Sequence, residues 1–157
     1  EFGSKIKYIL DGGKCNIGLE STIINLTLKP TILRLGGLDI TEIKKVLKKK
    51  IGLNINSKKR ISPGQSRLHY SPGIPLKTNV KKPKKNEAFL LIKKRKISLD
   101  NYYYLSKKSN LNEAAKNLYS LLRKIKNKGF KSISVEKIPD KGVGKTINDR
   151  LKRASKY

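Results

Sequence analysis

The chain contains no methionine, no tryptophan, a single cysteine and a single histidine in 157 residues. Cys15 has no second thiol in the chain for a disulfide, and one thiol with one imidazole is too few for a metal cluster of ordinary spacing. Neither redox nor zinc chemistry is indicated, and no metal-ligating residue is assigned. No run approaches the roughly 20 apolar residues that a membrane span needs. The N-terminus also lacks the charged, apolar and small-residue regions of a signal peptide, so no membrane association is expected and the cytoplasm is the default compartment. Without methionine the sequence does not open on a native start codon unless processing has removed it, and the chain reads as a fragment. Glu1-Phe2-Gly3-Ser4 is compatible with a cloning scar and with native sequence running on into Lys5-Ile6-Lys7-Tyr8-Ile9-Leu10.

Acidic residues are scarce: 11 Asp and Glu stand against 38 Lys and Arg, for a formal charge of +27. Such a balance points toward nucleic acid, because cations that neutralise phosphates release counterions on binding. Most of these cations are lysines accompanied by asparagine and isoleucine, the bias of an AT-rich genome at exposed positions. Aromatics make up only 6% of the chain, which gives little sign of a base-stacking platform. A lysine-rich solvated face is the plainer reading. The 36% hydrophobic content suffices for a modest core.

The pattern along the chain is α/β. Residues 5–10 alternate and turn at Asp11-Gly12-Gly13, and Ser21–Leu28 is rich in β-branched residues, so both are expected in sheet. Thr31–Arg34 is a further short strand ended by Gly36-Gly37. Asp39 or Thr41 then caps a helix through Leu47, with Ile43, Val46 and Leu47 on its apolar face. From Gly52 to Asn86 regular structure dissolves, and Pro63, Pro72, Pro75 and Pro83 all fall there. A segment of this length without elements suggests a functional loop such as a lid. Ala88–Ile92 and Tyr102–Leu105 follow as strands. Asn110 or Asn112 caps a helix whose stripe is Leu111, Ala114, Ala115, Leu118, Leu121, Leu122 and Ile125, before Gly129 stops it. Phe130, Ile133 and Val135 mark another strand. Ile147, Leu151 and Ala154 mark a final helix after Gly142 and Gly144. Strands alternating with helices imply a small, mainly parallel sheet.

Three motifs invite chemistry. In Gly18-Leu19-Glu20-Ser21-Thr22-Ile23-Ile24 two hydroxyls stand at a strand entrance, where they can reach a ligand's carboxylate or phosphate or simply bond local backbone. Arg34 can present its fork to a phosphate, or lie on the surface of an edge strand. Between Pro63 and Pro72, His69 and Tyr70 are rigidly presented; the ring can cover a nucleotide base or pack in a turn, and a lone histidine has no orienting partner. Gly142-Val143-Gly144-Lys145-Thr146 contains the Gly-Lys-Thr of a phosphate-binding loop, but Pro139 stands where the fuller pattern needs glycine.

In order along the chain, these blocks resemble the long threonylcarbamoyl-AMP synthases, in which a YrdC-like catalytic domain is joined by a loop to a small C-terminal α/β domain. Ile9–Gly13, Gly18–Ile23 and Ile32-Leu33-Arg34 look like the end of the catalytic domain. Ser62-Pro63-Gly64-Gln65 with His69-Tyr70-Ser71-Pro72 looks like the interdomain loop. Leu105-Ser106, Glu113–Leu118 and Leu122-Arg123 look like the accessory-domain helix, and Gly142–Gly144 through Ile147–Leu151 like the closing segment. The resemblance implies an α/β protein in three parts: residues 1–50 as a remnant of the YrdC-like domain, 51–86 as an extended linker or lid, and 87–157 as a small, mainly parallel, Rossmann-like accessory domain.

It further implies that the intact enzyme uses ATP, L-threonine and bicarbonate, with Mg2+ expected, to make threonylcarbamoyl-AMP and pyrophosphate. The product would pass to partner proteins that modify tRNA, and direct tRNA binding stays open. By this resemblance Ser21 and, more weakly, Thr22 contact threonine. Arg34, Tyr70 and, more weakly, His69 contact ATP. The loop departs from the family at Gln65-Ser66-Arg67-Leu68, where some relatives carry Met-Lys-Tyr-Arg. The family's basic ATP-holding residues and Ser-Ala-Asn segment have no counterpart in these residues, so no catalytic residue is assigned and the chain alone is expected to be inactive. Residues 1–50 are expected to expose apolar faces that they cannot bury alone. The rival readings are a basic module binding double-stranded RNA without catalysis and a nucleotide hydrolase built on Gly144-Lys145-Thr146.

Overall fold

A computed structural model describes residues 3–13, 15–55, 61–66 and 70–155. The described residues form a mixed α/β structure with two sheets, one of three strands and one of four. The four-stranded sheet comprises β4 (Leu76–Lys77), β5 (Ala88–Lys93), β6 (Tyr102–Ser106) and β7 (Ile133–Val135). Its spatial order is β4-β7-β5-β6, and every neighbouring pair is parallel. The unbroken apolar run Ala88-Phe89-Leu90-Leu91 is buried throughout, as a strand covered on both faces requires.

Helix α2 (Leu111–Asn127) crosses from β6 to β7. Asn110 caps it, its side-chain oxygen accepting from the Glu113 amide at 2.9 Å. The stripe Ala114, Ala115, Leu118, Leu122 and Ile125 faces the sheet. Helix α3 (Gly144–Ala154) adds Ile147, Leu151 and Ala154 to the same core.

The three-stranded sheet is slighter. β1 (Ile23–Asn25) pairs antiparallel with β2 (Thr31–Arg34), and β3 (Gly52–Leu53) runs parallel to β2. Helix α1 (Ile40–Leu47) starts at Asp39, whose carboxylate accepts from the Thr41 amide at 3.0 Å. Among the described residues Ile32, Leu35 and Ile40 form its buried cluster, with Ile24, Ile43, Ile51 and Ile55 partly buried against it.

Four expectations change in detail. No strand forms over residues 5–10: Gly3–Lys5 is a short 3-10 turn, and Tyr8, Ile9 and Leu10 lie exposed because no described strand pairs with them. β1 is shorter than the β-branched run, since the Asn25 side chain accepts from both the amide and the hydroxyl of Thr27 and turns the chain. Val46 points to solvent rather than joining the apolar face of α1. The segment 51–86 carries β3, which extends the first sheet, and β4, which begins the second.

The two sheets meet through the chain just ahead of β1. Gly18 adopts φ +72°, and a Cβ there would lie 2.5 Å from the Lys116 Cα of α2, so only glycine permits this approach. The adjoining Leu19 packs on the larger core, which seats Glu20 and Ser21 beside α2 and α3.

Candidate functional site

β1 and β2 are paired so that Ile23 lies opposite Arg34, which sets the Arg34 side chain alongside the residues entering β1. The Arg34 Nε donates to the Ser21 carbonyl at 3.0 Å, and one terminal nitrogen donates to the Ser21 hydroxyl oxygen at 3.0 Å. A hydroxyl that accepts from a guanidinium keeps its own proton for another acceptor. The ion pairs among the described residues include no carboxylate partner for Arg34. Ser21 is exposed and Arg34 half-buried. Together they offer an un-neutralised planar cation and a spare hydroxyl proton, which suits a carboxylate or phosphate.

The structure brings Tyr70 to this pair. A Cβ built on Gly64 would lie 2.7 Å from the Tyr70 hydroxyl and 3.0 Å from the Arg34 Cδ, so the loop glycine sits between the two side chains. Tyr70 holds a left-handed backbone at φ +67°, uncommon for a non-glycine residue and typical of positions fixed by their surroundings. Burial pushes its hydroxyl up to about 12; the charge of Arg150 pulls the other way, while a hydrogen bond to Glu20 adds to the rise. It is therefore a neutral phenol at physiological pH. Its ring stacks on Tyr119 with centroids 5.8 Å apart, and the Arg150 guanidinium lies over it at 4.6 Å. Burial also pushes the Tyr119 hydroxyl up.

Thr22 is directed elsewhere: its hydroxyl donates to the Leu38 carbonyl at 2.7 Å and fixes the turn before α1. His69 lies outside the described residues. Thr146, in the apparent phosphate-loop motif, is buried and donates its hydroxyl to the Gly36 carbonyl at 2.9 Å, so it serves to seat α3 against the first sheet. Among the described residues no three His, Cys, Asp or Glu side chains cluster as metal ligands.

The remaining members of the site escaped sequence reasoning. Glu20 accepts from the Nε and a terminal nitrogen of Arg150 at 3.2 and 3.1 Å. Burial would raise the Glu20 carboxyl, but a hydrogen bond from its own amide and the charge of Arg150 outweigh that and hold it below the usual carboxylate range. Arg150 is 1% exposed and also donates to the Leu35 carbonyl and to Asp149, each at 2.6 Å. Gln65, in the segment for which the resemblance supplied no role, fills all its amide positions: it donates to the Leu33 and Asn54 carbonyls at 3.0 Å and accepts from the Ile61 and Ser62 amides. Arg153 donates to the Ser66 and Ile55 carbonyls at 3.1 and 2.7 Å. A usable signal existed for Arg150, since it shares one helical face with Ile147, Leu151 and Ala154, where a charge needs a dedicated partner.

The arrangement places a helix of the larger unit against a loop and a strand entrance of the smaller one. A family model for the threonylcarbamoyl-AMP synthase C-terminal domain matches residues 38–156. The chain belongs to this family. Threonylcarbamoyl-AMP synthase of Pyrococcus abyssi (strain GE5 / Orsay) is 32% identical over 180 residues, covering 100% of this chain and 52% of that protein. The enzyme of the same name from Bacillus subtilis (strain 168) is 29% identical over 174 residues, covering 99% of this chain and 50% of its own length. Among solved structures, P. abyssi Sua5 complexed with L-threonine aligns with a TM-score of 0.84 at 30% identity, covering 100% of this chain and 52% of that one. The chain thus spans about half the length of the curated relatives it matches, and Glu20, Ser21 and Arg34 lie ahead of the family match while Tyr70 and Arg150 lie inside it.

Proposed function

We propose that this chain is part of an L-threonylcarbamoyladenylate synthase that supplies threonylcarbamoyladenosine modification of tRNA. The observation that carries the reading is the Ser21–Arg34 pair, an anion-ready site without a carboxylate partner among the described residues, lying beside the loop tyrosine Tyr70. The threonine amine adds to bicarbonate with loss of water. The resulting carbamate oxygen then attacks the α-phosphorus of ATP, and pyrophosphate leaves. In this scheme the Ser21 hydroxyl donates its free proton to the threonine carboxylate, and Arg34 holds Ser21 in place while offering its remaining N–H groups to phosphate. Tyr70, and His69 next to it, close the nucleotide side and keep water from the labile mixed anhydride. Thr22, next to Ser21, ties that stretch of chain to the Leu38 carbonyl. The setting would be the cytoplasm, with the adenylate handed to tRNA-modifying partner proteins.

The test joins this chain to an upstream half of the length its relatives carry and measures pyrophosphate release with ATP, threonine and bicarbonate. Threonine-dependent release is expected, with kcat/KM falling on the order of a hundredfold in Arg34→Ala, the loss of roughly one charge-assisted contact to the transition state. No release from a folded protein refutes the reading. One observation favours the RNA-binding alternative: Lys29, Lys44, Lys48, Lys49 and Lys50 line a hollow of about 560 Å³ with no acidic residue among its lining groups. Tight tRNA binding that weakens steeply with salt and ignores ATP would move the assignment there.

A further inference from the structure

We infer that Arg150 is a positioning residue, the latch by which helix α3 holds Tyr70 and Glu20 over the Ser21–Arg34 site. The inference rests on the functional reading above for its purpose, but on geometry alone for its contacts. Arg150 reaches three separate stretches of chain. Its fork engages Glu20, next to Ser21; a terminal nitrogen donates to the Leu35 carbonyl, next to Arg34; and its guanidinium carbon lies over the Tyr70 ring, 4.6 Å from the centroid. Both residues of the anion pair therefore have an immediate chain neighbour tied to one guanidinium.

Anchoring α3 to its own core does not require such a group. Ile147, Leu151 and Ala154 on the same helix face are buried and apolar. A buried arginine–carboxylate pair, by contrast, is a weak source of net stability, since desolvation offsets most of the attraction, and such pairs are better explained by the register they enforce. The other arginine of α3 acts in the same direction. Arg153 fastens the carbonyls of Ser66 and Ile55, so α3 grips this loop at more than one point. The left-handed backbone of Tyr70 stores strain that only its surroundings hold, and a ring released from Arg150 loses one of them.

The experiment uses the protein joined to its upstream half and compares wild type with Arg150→Lys and Glu20→Gln. Lysine keeps the charge but lacks the fork and the flat face. Glutamine keeps the shape but removes the counter-charge. Tetranitromethane is the probe, and nitration at Tyr70 and Tyr103 is read by peptide mass spectrometry. Tyr103 is a buried tyrosine of the larger core and reports general loosening. The expected result is Tyr70 nitration on the order of tenfold faster in both variants with Tyr103 unchanged, the size of an ordinary coupling between sites. The same variants should raise KM for ATP and increase the AMP formed per pyrophosphate released.

Unchanged Tyr70 reactivity, or parallel acceleration at Tyr103, overturns the latch. If Arg150→Lys does not fold, Glu20→Gln decides by the same two readings. Nitration separates the two proposals: an inactive wild type with a latched Tyr70 refutes the synthase reading alone, and an active wild type with indifferent variants refutes the latch alone.

Discussion

The two halves of the molecule are built from similar alternations of strand and helix, yet they bury very different amounts of side chain. Around the four-stranded sheet, apolar residues from all four strands, α2 and α3 form one continuous core. Around the three-stranded sheet, among the described residues, Ile32, Leu35 and Ile40 are buried as a cluster, while Tyr8, Ile9, Leu10, Leu26 and Leu28 stand exposed. Ile24, Ile43, Ile51 and Ile55 pack only partly buried against that cluster, and because net stability is a small remainder after chain entropy, so small a core is a weak hold on a sheet. The smaller unit is held through Gln65, Arg153, Arg150 and Thr146, polar groups that tie backbone carbonyls and Glu20 to the loop and to α3. Packing holds one half together, and borrowed hydrogen bonds hold the other.

Matched cavity substitutions test that contrast most severely. Leu118 and Ile32 are both 0% exposed. Leu118→Ala should cost about 2–5 kcal/mol, seen as a lower midpoint in chemical denaturation of the whole molecule. Ile32→Ala removes a comparable side chain, but its effect should appear as faster amide exchange confined to residues 23–53, with the main unfolding transition little changed. If both substitutions lower the main transition equally, the halves are one cooperative unit and the contrast fails.

An intermediate effect is expected at Glu87, the buried carboxylate of the larger unit, at 8% exposed. It accepts from the Ser134 hydroxyl at 2.6 Å, from the Lys84 amide at 2.9 Å and from the Ser132 hydroxyl at 3.2 Å. The Ser134 hydrogen bond leads the set that holds its carboxyl below the ordinary range; the Lys84 amide follows, and burial opposes them. A depressed carboxyl stabilises the fold above its unfolded pKa, and the stabilisation is lost as pH falls through the ordinary carboxylate range toward the folded value. Glu87→Gln should lower stability at neutral pH by about 1–3 kcal/mol, because the amide offers one acceptor oxygen where the carboxylate offered two. It should also flatten the acid limb of a melting temperature against pH curve. An unchanged acid limb would assign that limb to other carboxylates.

What the sequence made legible follows the same division. The helices of both units and the parallel sheet were readable, because periodicity is local and a parallel strand buried on both faces is an unbroken apolar run; the caps were narrowed to Asp39 or Thr41 and to Asn110 or Asn112, of which the structure takes Asp39 and Asn110. Of the site, Ser21, Arg34 and Tyr70 stand in motifs that the resemblance picked out, and the structure brings these three together. Glu20, Gln65 and Arg150 were not assigned roles, since their partners lie far along the chain and no spacing rule links residues 20 and 150. The alternation at 5–10 misled for a related reason. A period of two marks a strand only where a neighbour exists to pair with it.

The smallest expected effect concerns the charge that dominates the composition. Lys48 and Lys49 follow α1 and line the basic hollow of the smaller unit; both are exposed. Neither side chain has an ion-pair partner among the described residues. Lys48 is the left-handed C-cap of α1 at φ +49°, but serine carries a Cβ as lysine does and meets the same strain there, so replacing both with serine should change stability by no more than about 0.5 kcal/mol. Binding to tRNA is where the two substitutions can matter. If this hollow neutralises phosphates, losing two lysines should reduce the slope of log affinity against log salt by up to about two, without touching ATP turnover. If the lysines are only a solvated face, neither slope nor turnover moves. Two exposed lysines thus sharpen the comparison from its polar side: the smaller unit depends on buried cations that reach across to it, and its own surface cations are dispensable to the fold.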